Sequence, residues 1–124
     1  MRVLLDKNIP TGLRRYLTLH EVATAHDQRW GELKNGALLQ AAQAAGFDVF
    51  VTADQGLRDE QNLTRCPLAV IVLGSNSWPL LKRRGSQIAA VVDAALPGAY
   101  RFMDFPEAHK RRHIQRPIKP SDKP

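Results

Sequence analysis

Two acidic residues stand at the ends of apolar runs in different parts of the chain. Asp6 closes the run in "VLLDKN", and Asp54 closes the run in "FDVFVTADQGL". Short apolar runs rich in β-branched residues are typical of strands that are covered on both faces. The sequence therefore predicts two carboxylates at the carboxyl ends of two buried strands.

Carboxylates placed in this way are suited to binding a divalent cation. Two carboxylates about 4 Å apart repel each other by ~4 kcal/mol at an effective dielectric constant of about 20. A shared proton offsets this repulsion, and so does Mg²⁺ or Mn²⁺, which prefers hard oxygen ligands and binds phosphate oxygens at its remaining positions. Asp6 and Asp54 therefore favour a metal site for phosphodiester chemistry. The alternative is structural, because an aspartate after a strand commonly forms a turn or caps a helix.

The elements that must position these acids alternate along the chain. Strands are predicted at residues 2–6, 20–25, 48–52, 68–74 and 99–105, and segments of helical period at 9–17, 35–46 and 86–96. Asn35 is predicted to cap the second helix and Gly46 to end it. Such alternation predicts a three-layer α/β fold with a mainly parallel sheet of about five strands. In these folds ligands bind at the carboxyl ends of the strands, where the strand order reverses.

Further polar residues are predicted at the same edge of the sheet. Lys7 and Asn8 follow the first strand, Lys34 lies in the connection after the second, and Asn76 follows the fourth. Lysine binds phosphate and amides position nucleic-acid backbones, so these four residues are candidates for substrate binding. Trp30 precedes Lys34 in the same connection, where it either stacks on a base or fills the core.

Three further acids are weaker candidates for the same site. Asp27 follows the second strand, and Asp59 and Glu60 follow closely after Asp54. Charged residues usually lie on solvated surfaces, so each of these three is more readily explained as a surface group. Asp48 begins its strand at the opposite edge and is a poor candidate.

The composition of the sequence limits the classes of protein to which the chain could belong. The sequence has 124 residues, a net charge of +6 and a single cysteine, Cys66, which cannot form an internal disulfide. One domain in a reducing cytoplasm is therefore expected, with no signal-peptide segment before Asp6 and Lys7. The run "LAVIVLG" stops after seven residues. No membrane span is expected, because spanning requires about 18 apolar residues.

The basic charge is concentrated near the end of the sequence. Residues 106–124 contain six Lys or Arg, two acids and four of the eight prolines, so this segment carries +4 and residues 1–105 carry +2. A domain at 1–105 followed by a basic, extended tail at 106–124 is therefore predicted. Such a tail suits a polyanion or an acidic partner. The alternative is a solubilising tail or a docking segment.

Several motifs of the chain resemble those of a known family. "RVLLDKNIPTGL" followed by "GFDVFVTADQGL" is similar to the small bacterial PIN-like domains, relatives of VapC-type toxins and Mut7-C ribonuclease domains. The likeness continues through "RWGELKNGALLQAA", "VIVLGSNSWPLL" and "PGAYR", so it covers about residues 2 to 102. It implies a PIN-like fold and an RNA substrate cleaved with Mg²⁺ or Mn²⁺, with Asp6 and Asp54 as the catalytic metal ligands. It also implies a toxin role with a small antitoxin protein as partner, and a homodimer is compatible with it.

The sequence departs from that family at positions where relatives often carry acids. Lys7 stands directly after the first aspartate, Gly56 two residues after the second, and Gly36 and Ala37 in the first turn of the second helix. Relatives usually gather three or four acids. The expected function is a divalent-metal-dependent ribonuclease. The alternative is a catalytically degenerate PIN-like module that binds RNA or a protein partner without cleavage.

Overall fold

One β-sheet lies at the centre of the described part of the molecule. The computed structural model describes residues 1–57 and 66–108. Within these ranges five strands form one all-parallel sheet in the order β2-β1-β3-β4-β5. The strands are β1 (Arg2–Leu5), β2 (Glu21–Thr24), β3 (Val49–Thr52), β4 (Ala69–Leu73) and β5 (Tyr100–Met103). The predicted three-layer α/β fold with a mainly parallel sheet of about five strands is confirmed.

Helices pack on both faces of this sheet. Within residues 1–57 and 66–108 they include a 3-10 helix (Thr11–Tyr16), α1 (Asn35–Ala44), α2 (Trp78–Arg83) and α3 (Gly85–Asp93). Leu13 of the 3-10 helix, Leu80 of α2 and Ile88 of α3 share one buried cluster with one face of the sheet. Leu38 and Ala42 of α1 pack in a second cluster on the other face. The sheet is therefore the middle layer of three.

Alternation along each strand divides the core between these two clusters. Successive side chains of a strand point to opposite faces, so neighbouring residues join different clusters. In β1, Val3 and Leu5 lie in the first cluster and Leu4 in the second. In β3, Val51 and Phe50 are divided in the same way, and all of these residues are fully buried. Burial on both faces explains why these strands read as continuous apolar runs.

The strand order reverses between β1 and β3. The chain passes from β1 to β2 on one side of it and then returns to form β3 on the other side. Leu5 is paired with Val51, so the residues that follow β1 and β3 are neighbours at the carboxyl edge of the sheet. The prediction that these two strands are adjacent is confirmed. A crevice at such a switch point is where open α/β sheets bind ligands.

The end of α1 follows the sequence prediction closely. Gly46 has a φ of +83°, and its N–H donates to the carbonyl of Gln43 at 3.1 Å. The N–H of Phe47 donates to the carbonyl of Ala42 at 3.0 Å. This pair of bonds satisfies the last helical carbonyls, and the left-handed backbone conformation explains the glycine.

Two local predictions need correction. The segment after β1 is a 3-10 helix of six residues rather than an α-helix, although Ile9, Leu13 and Leu17 are buried as their spacing predicted. Asn35 is the first residue of α1 instead of its cap, and the cap position is Lys34, whose side chain makes no capping hydrogen bond. The side-chain amide of Asn35 is directed to the sheet edge instead.

The packed structure continues to residue 108. Phe105 is fully buried, and Glu107 accepts hydrogen bonds from the Arg84 guanidinium at 2.8 Å. The Arg84 guanidinium holds the pKa of the Glu107 carboxyl below its usual value. Residues 109–124, with most of the predicted basic tail, lie outside the described residues. Within the described part of the chain, every helix is too short or too polar to cross a bilayer.

Candidate functional site

Asp6 is a buried carboxylate at the carboxyl end of β1. Its side chain is only 4% exposed. One carboxylate oxygen, Oδ1, accepts a hydrogen bond from the backbone N–H of Lys7 at 2.7 Å. The other, Oδ2, accepts one from the hydroxyl of Thr52 at 2.7 Å. Both oxygens therefore accept from donors, as an ionised carboxylate does.

Thr52 links the two predicted acidic positions. It ends β3, is fully buried, and its hydroxyl donates to Asp6. The same hydroxyl accepts a hydrogen bond from the backbone N–H of Asp54 at 3.1 Å. A single hydroxyl thus fixes the Asp6 carboxylate and the Asp54 main chain relative to each other.

Asp54 is half-buried beyond the end of β3, where two groups hold its carboxylate. Oδ1 accepts from the backbone N–H of Gly56 at 3.0 Å. Oδ2 accepts from the side-chain amide of Asn35 at 2.6 Å. Asn35 is the first residue of α1, so this bond joins the amino end of that helix to the loop after β3.

The two aspartates face one open cleft of about 480 Å³. Its remaining lining comes from the loop after β1 and from the start of α1, namely Lys7, Leu33, Lys34, Asn35 and Gly36. Lys7 and Lys34 are exposed at this cleft, and the Lys7 ammonium donates to the carbonyl of Gly31 at 3.1 Å. The two acids and the two lysines, which the sequence predicted at one edge of the sheet, therefore lie around the same space.

Neither carboxylate of this cleft forms a direct ion pair in the described structure. Across residues 1–57 and 66–108, no Lys, Arg or His is ion-paired with Asp6 or Asp54. A buried carboxylate without a positive partner is uncommon, because its desolvation is uncompensated. A cation bound between the two acids would supply the missing charge.

The donor set fits a hard divalent cation. Each carboxylate oxygen has two lone pairs and already uses one of them for a hydrogen bond, so further acceptor capacity remains on both aspartates. Mg²⁺ characteristically binds through one or two carboxylates and keeps several waters. No cluster of three or more His, Cys, Asp or Glu side chains suited to a metal occurs among the described residues. Asp6 and Asp54 are the two acids among the described residues that line the cleft.

A structural role explains the hydrogen bond made by one carboxylate oxygen of each aspartate. Oδ1 of Asp6 and Oδ1 of Asp54 each hold the backbone of the loop that follows, as turn-forming aspartates do. The Oδ2 atoms differ, since both are engaged by side chains of other elements, Thr52 and Asn35. Turn formation alone would not require the two acids to line the same cleft.

The predicted asparagines of the site lie outside the cleft lining. The Asn8 side-chain oxygen accepts from the backbone N–H of Ala53 at 3.1 Å, so it ties the loop after β1 to the loop after β3. Asn76 is exposed in the loop after β4. Neither residue is among those that line the cleft. Asn8 positions backbone in this structure, and a substrate contact by Asn76 stays a prediction.

Asp27 forms an ion pair with Arg14 and does not line the cleft. Its carboxylate accepts from the backbone N–H of Thr24 at 3.1 Å and from the Arg14 guanidinium at 2.6 Å. The Thr24 N–H bond, followed by the Arg14 bond, holds the pKa of Asp27 below its usual value. Asp27 is exposed and absent from the cleft lining, which agrees with the expectation that it is more readily explained as a surface group. Asp59 and Glu60 lie outside the described residues.

Both tryptophans are partly buried and pack against the core clusters. The Trp30 ring meets the Phe47 ring edge-on at 6.1 Å between centroids and packs against the second buried cluster. Trp78 meets Tyr16 at 6.4 Å and packs against the first cluster. The partly buried Trp30 therefore packs against the core, as its alternative role predicted, and base stacking stays a prediction.

Comparisons with known proteins add no relative. No protein-family model matches the chain, and neither the curated proteins nor the solved structures contain a significant match. The likeness to PIN-like domains therefore rests on the quoted motifs.

Sequence reasoning missed two residues of the site. Thr52 was visible as the point where the third strand turns polar, and it lies two positions before Asp54. Asn35 was interpreted as a helix cap, because an asparagine before an apolar helical segment commonly has that role. Only the packing of α1 against the sheet brings its amide to Asp54.

Proposed function

We propose that this protein is a divalent-metal-dependent ribonuclease of PIN-like type. The observation that carries the proposal is the cleft at the switch point, where Asp6 and Asp54 face the same space and neither is directly ion-paired among the described residues. Two acids from adjacent parallel strands are difficult to explain by turn formation alone. A bound Mg²⁺ or Mn²⁺ would hold the scissile phosphate and lower the pKa of an attacking water.

The residues of the cleft have distinct roles in this proposal. Asp6 and Asp54 hold the cation, and Thr52 fixes their relative position through its shared hydroxyl. Lys7 and Lys34 flank the acids and attract the phosphate backbone. The amino end of α1 adds a positive dipole at the same place. These groups recognise a phosphate backbone without selecting bases.

A second candidate function is RNA or protein binding without cleavage. The observation that favours it is the number of acids, since the described residues hold no group of three acidic, His or Cys side chains suited to a metal. In that case the lysines of the cleft would bind phosphate and the aspartates would stabilise the loops. Cleavage and binding assays on the same variants distinguish the two functions.

The test is cleavage of single-stranded RNA in Mn²⁺ by the wild type, Asp6→Asn and Asp54→Asn. Because each change removes one negative ligand, we expect the cleavage rate of each variant to fall more than about 100-fold. Addition of excess EDTA should abolish wild-type cleavage. RNA affinity without metal should change little, because binding depends on the lysines.

Asp48→Asn is the matched control. Asp48 is an exposed aspartate at the amino end of β3, where it accepts from the backbone N–H of Arg2 at 2.8 Å. It lies at the opposite edge of the sheet, so its variant should cleave at the wild-type rate. RNA binding without any cleavage would exclude the nuclease and support the binding module. Cleavage that is unaffected by both site variants would show that a contaminant is responsible.

The biological role we propose is that of a toxin controlled by a small antitoxin protein. This part rests on the motifs shared with VapC-type toxins. Growth arrest on expression of the wild type, absent for Asp6→Asn, would support it. Unimpaired growth with a folded, active enzyme would argue for another role in RNA metabolism.

A further inference from the structure

Exposed hydrophobic side chains gather at the amino edge of the sheet, where the parallel strands begin. The described part of the chain exposes four large hydrophobic side chains, and three of them precede strands at this edge: Met1 at 42%, Leu19 at 79% and Leu96 at 68%. Met1 and Leu96 also line a cavity of about 360 Å³, to which Gly46 and Pro67 contribute. Single exposed hydrophobic residues are ordinary, but a group of them around a hollow marks an interaction site.

A tight turn holds Leu96 at this surface. The N–H of Ala99 donates to the carbonyl of Leu96 at 3.0 Å across Pro97 and Gly98. Gly98 has a φ of +78°, as the second central residue of a type II turn requires. Its N–H donates to the carbonyl of Pro67 at 3.1 Å, so the turn is tied to the loop before β4. The exposure of Leu96 is therefore imposed by ordered backbone.

Three exposed acids surround these hydrophobic side chains. Asp48 lines the cavity. Glu21 is exposed beside Met1, because its backbone N–H donates to the Met1 carbonyl at 3.0 Å. The imidazole of His20 lies 2.6 Å from Oδ1 of Asp93 and 3.3 Å from the amino group of Met1, so Asp93 adjoins the same surface.

One arginine lies among these acids and is already engaged. The Arg2 guanidinium donates to the carbonyl of Ala45 and lies 4.4 Å from the centre of the Phe47 ring. Its Nε lies 3.8 Å from a carboxylate oxygen of Glu21. Three acids against one arginine make this surface negative, although the whole chain carries +6. A negative surface with exposed hydrophobic side chains fits a basic segment that also carries apolar residues.

The chain itself contains such a segment. Residues 109–124 hold six Lys or Arg and a single acid, and Ile114 and Ile118 stand between the basic residues. These residues lie outside the described part of the chain. Their sequence supplies both the positive charge and the apolar side chains that the amino edge lacks.

The segment is long enough to reach the amino edge. The described chain ends at Ala108, which packs on the first cluster, and Glu107 is held by Arg84 just before α3 begins. From there α3 runs toward the amino edge over nine residues, or about 14 Å, and ends at Asp93. The roughly ten residues from Ala108 to Ile118 span up to about 33 Å when extended.

We propose that the acidic, apolar surface at the amino edge binds residues 109–124 of the same chain. The isoleucines pack on Leu96 and the neighbouring cavity, and the lysines and arginines lie against the acids. RNA competes for this segment, because phosphates attract the same basic side chains. The competition rests on the proposed function, whereas the docking does not. In saturating RNA the segment leaves the surface, so Asp48→Asn still cleaves at the wild-type rate.

Disulfide trapping in the full chain tests the docking. In a Cys66→Ser background, Ile118→Cys is combined with Ala94→Cys, an exposed position two residues before Leu96, or with Ala37→Cys, an exposed position on α1. Because docking raises the local thiol concentration, we expect the Ala94 pair to form its internal disulfide at least about tenfold faster in oxidised glutathione. Mass spectrometry measures the internal bond, and reaction with a small thiol reagent shows that both positions are equally accessible.

Two substitutions separate the apolar contribution from the charge. Leu96→Ser removes the exposed side chain and should slow trapping of the Ala94 pair to the rate of the Ala37 pair. Glu21→Lys reverses one charge and should slow it about two- to fivefold, as expected for an exposed ion pair. Glu32→Lys, at an exposed acid in the loop after β2, is the matched control and should trap as the parent does. Circular dichroism verifies that each variant is folded.

Equal trapping of the Ala94 and Ala37 pairs would overturn the proposal, and so would trapping that Leu96→Ser leaves unchanged. Disulfide-linked dimers in place of the internal bond would assign the surface to a second copy of the chain. Excess single-stranded RNA should slow trapping of the Ala94 pair, and an unchanged rate would refute the competition. All docking measurements are made without RNA or metal, so their failure is independent of the cleavage results for Asp6→Asn and Asp54→Asn.

Discussion

At the level of single residues, one hydroxyl connects the two acids of the site. Thr52 donates to Asp6 and accepts from the backbone of Asp54, so it is the contact shared by both strands' ends. Removal of a group that orients a metal ligand typically lowers metal affinity by about 10- to 100-fold. Thr52 is also fully buried, and removal of its hydroxyl would leave two polar groups without this partner.

Thr52→Val is therefore predicted to affect both stability and metal binding. The valine keeps the shape of the side chain but removes the hydroxyl, which should cost about 1–3 kcal/mol of unfolding free energy. Mn²⁺ affinity should fall about 10- to 100-fold. Urea denaturation and Mn²⁺ titration measure the two effects. Thr52→Ser retains the hydroxyl and should keep the affinity, and equal affinities for the Val and Ser variants would contradict this role.

At the level of elements, the helical layer behind the site is closely packed. The 3-10 helix and α2 meet where the Trp78 ring lies over Gly12. A Cβ atom on Gly12 would lie 2.7 Å from Cζ2 and 2.8 Å from Cη2 of Trp78. The ring also packs against Tyr16 and cannot move without disturbing that contact. Glycine is required here by close approach.

Gly12→Ala should destabilise the protein by about 1–3 kcal/mol, since overpacking forces the ring or the helix to shift. This runs against helix propensity, which would favour alanine by about 1 kcal/mol. Thermal unfolding measures the difference. Gly31→Ala is the matched control, because no atom lies within 4 Å of a Cβ added at Gly31. A Gly12 variant as stable as the control would show that the ring adapts freely.

At the level of the whole molecule, the sheet places the acidic residues that follow its strands next to the basic residues of the cleft. The acids lie at the switch point between β1 and β3, and Lys7 and Lys34 lie beside them. The packed chain reaches residue 108 through the buried Phe105 and the pair of Glu107 with Arg84. The six basic residues of the predicted tail all follow that point in the sequence.

Removal of residues 109–124 is predicted to weaken RNA binding and to reduce its salt dependence. The fold should persist, because Phe105 and Glu107 are retained. For single-stranded RNA, every phosphate that the tail no longer neutralises should reduce the steepness of log affinity against log salt by about 0.7. Fluorescence anisotropy between low and high salt measures this slope. An unchanged slope would assign the tail to a protein partner or to solubility.

The fold class, the strands and the two acids at their ends could be predicted from the sequence. These are properties of short segments, because apolar periodicity and a polar residue at the end of a run follow from local burial. Asp27 was also placed near the correct edge, but its ion pair with Arg14 depends on a contact with another element.

The side chains that meet at the cleft could be identified only from the packed chain. The contact of Asn35 with Asp54 and the shared hydroxyl of Thr52 depend on strand register and on how α1 packs against the sheet. Both are set by interactions between segments distant in the sequence. Local patterns do not encode such contacts, because the same asparagine would serve equally well as a helix cap.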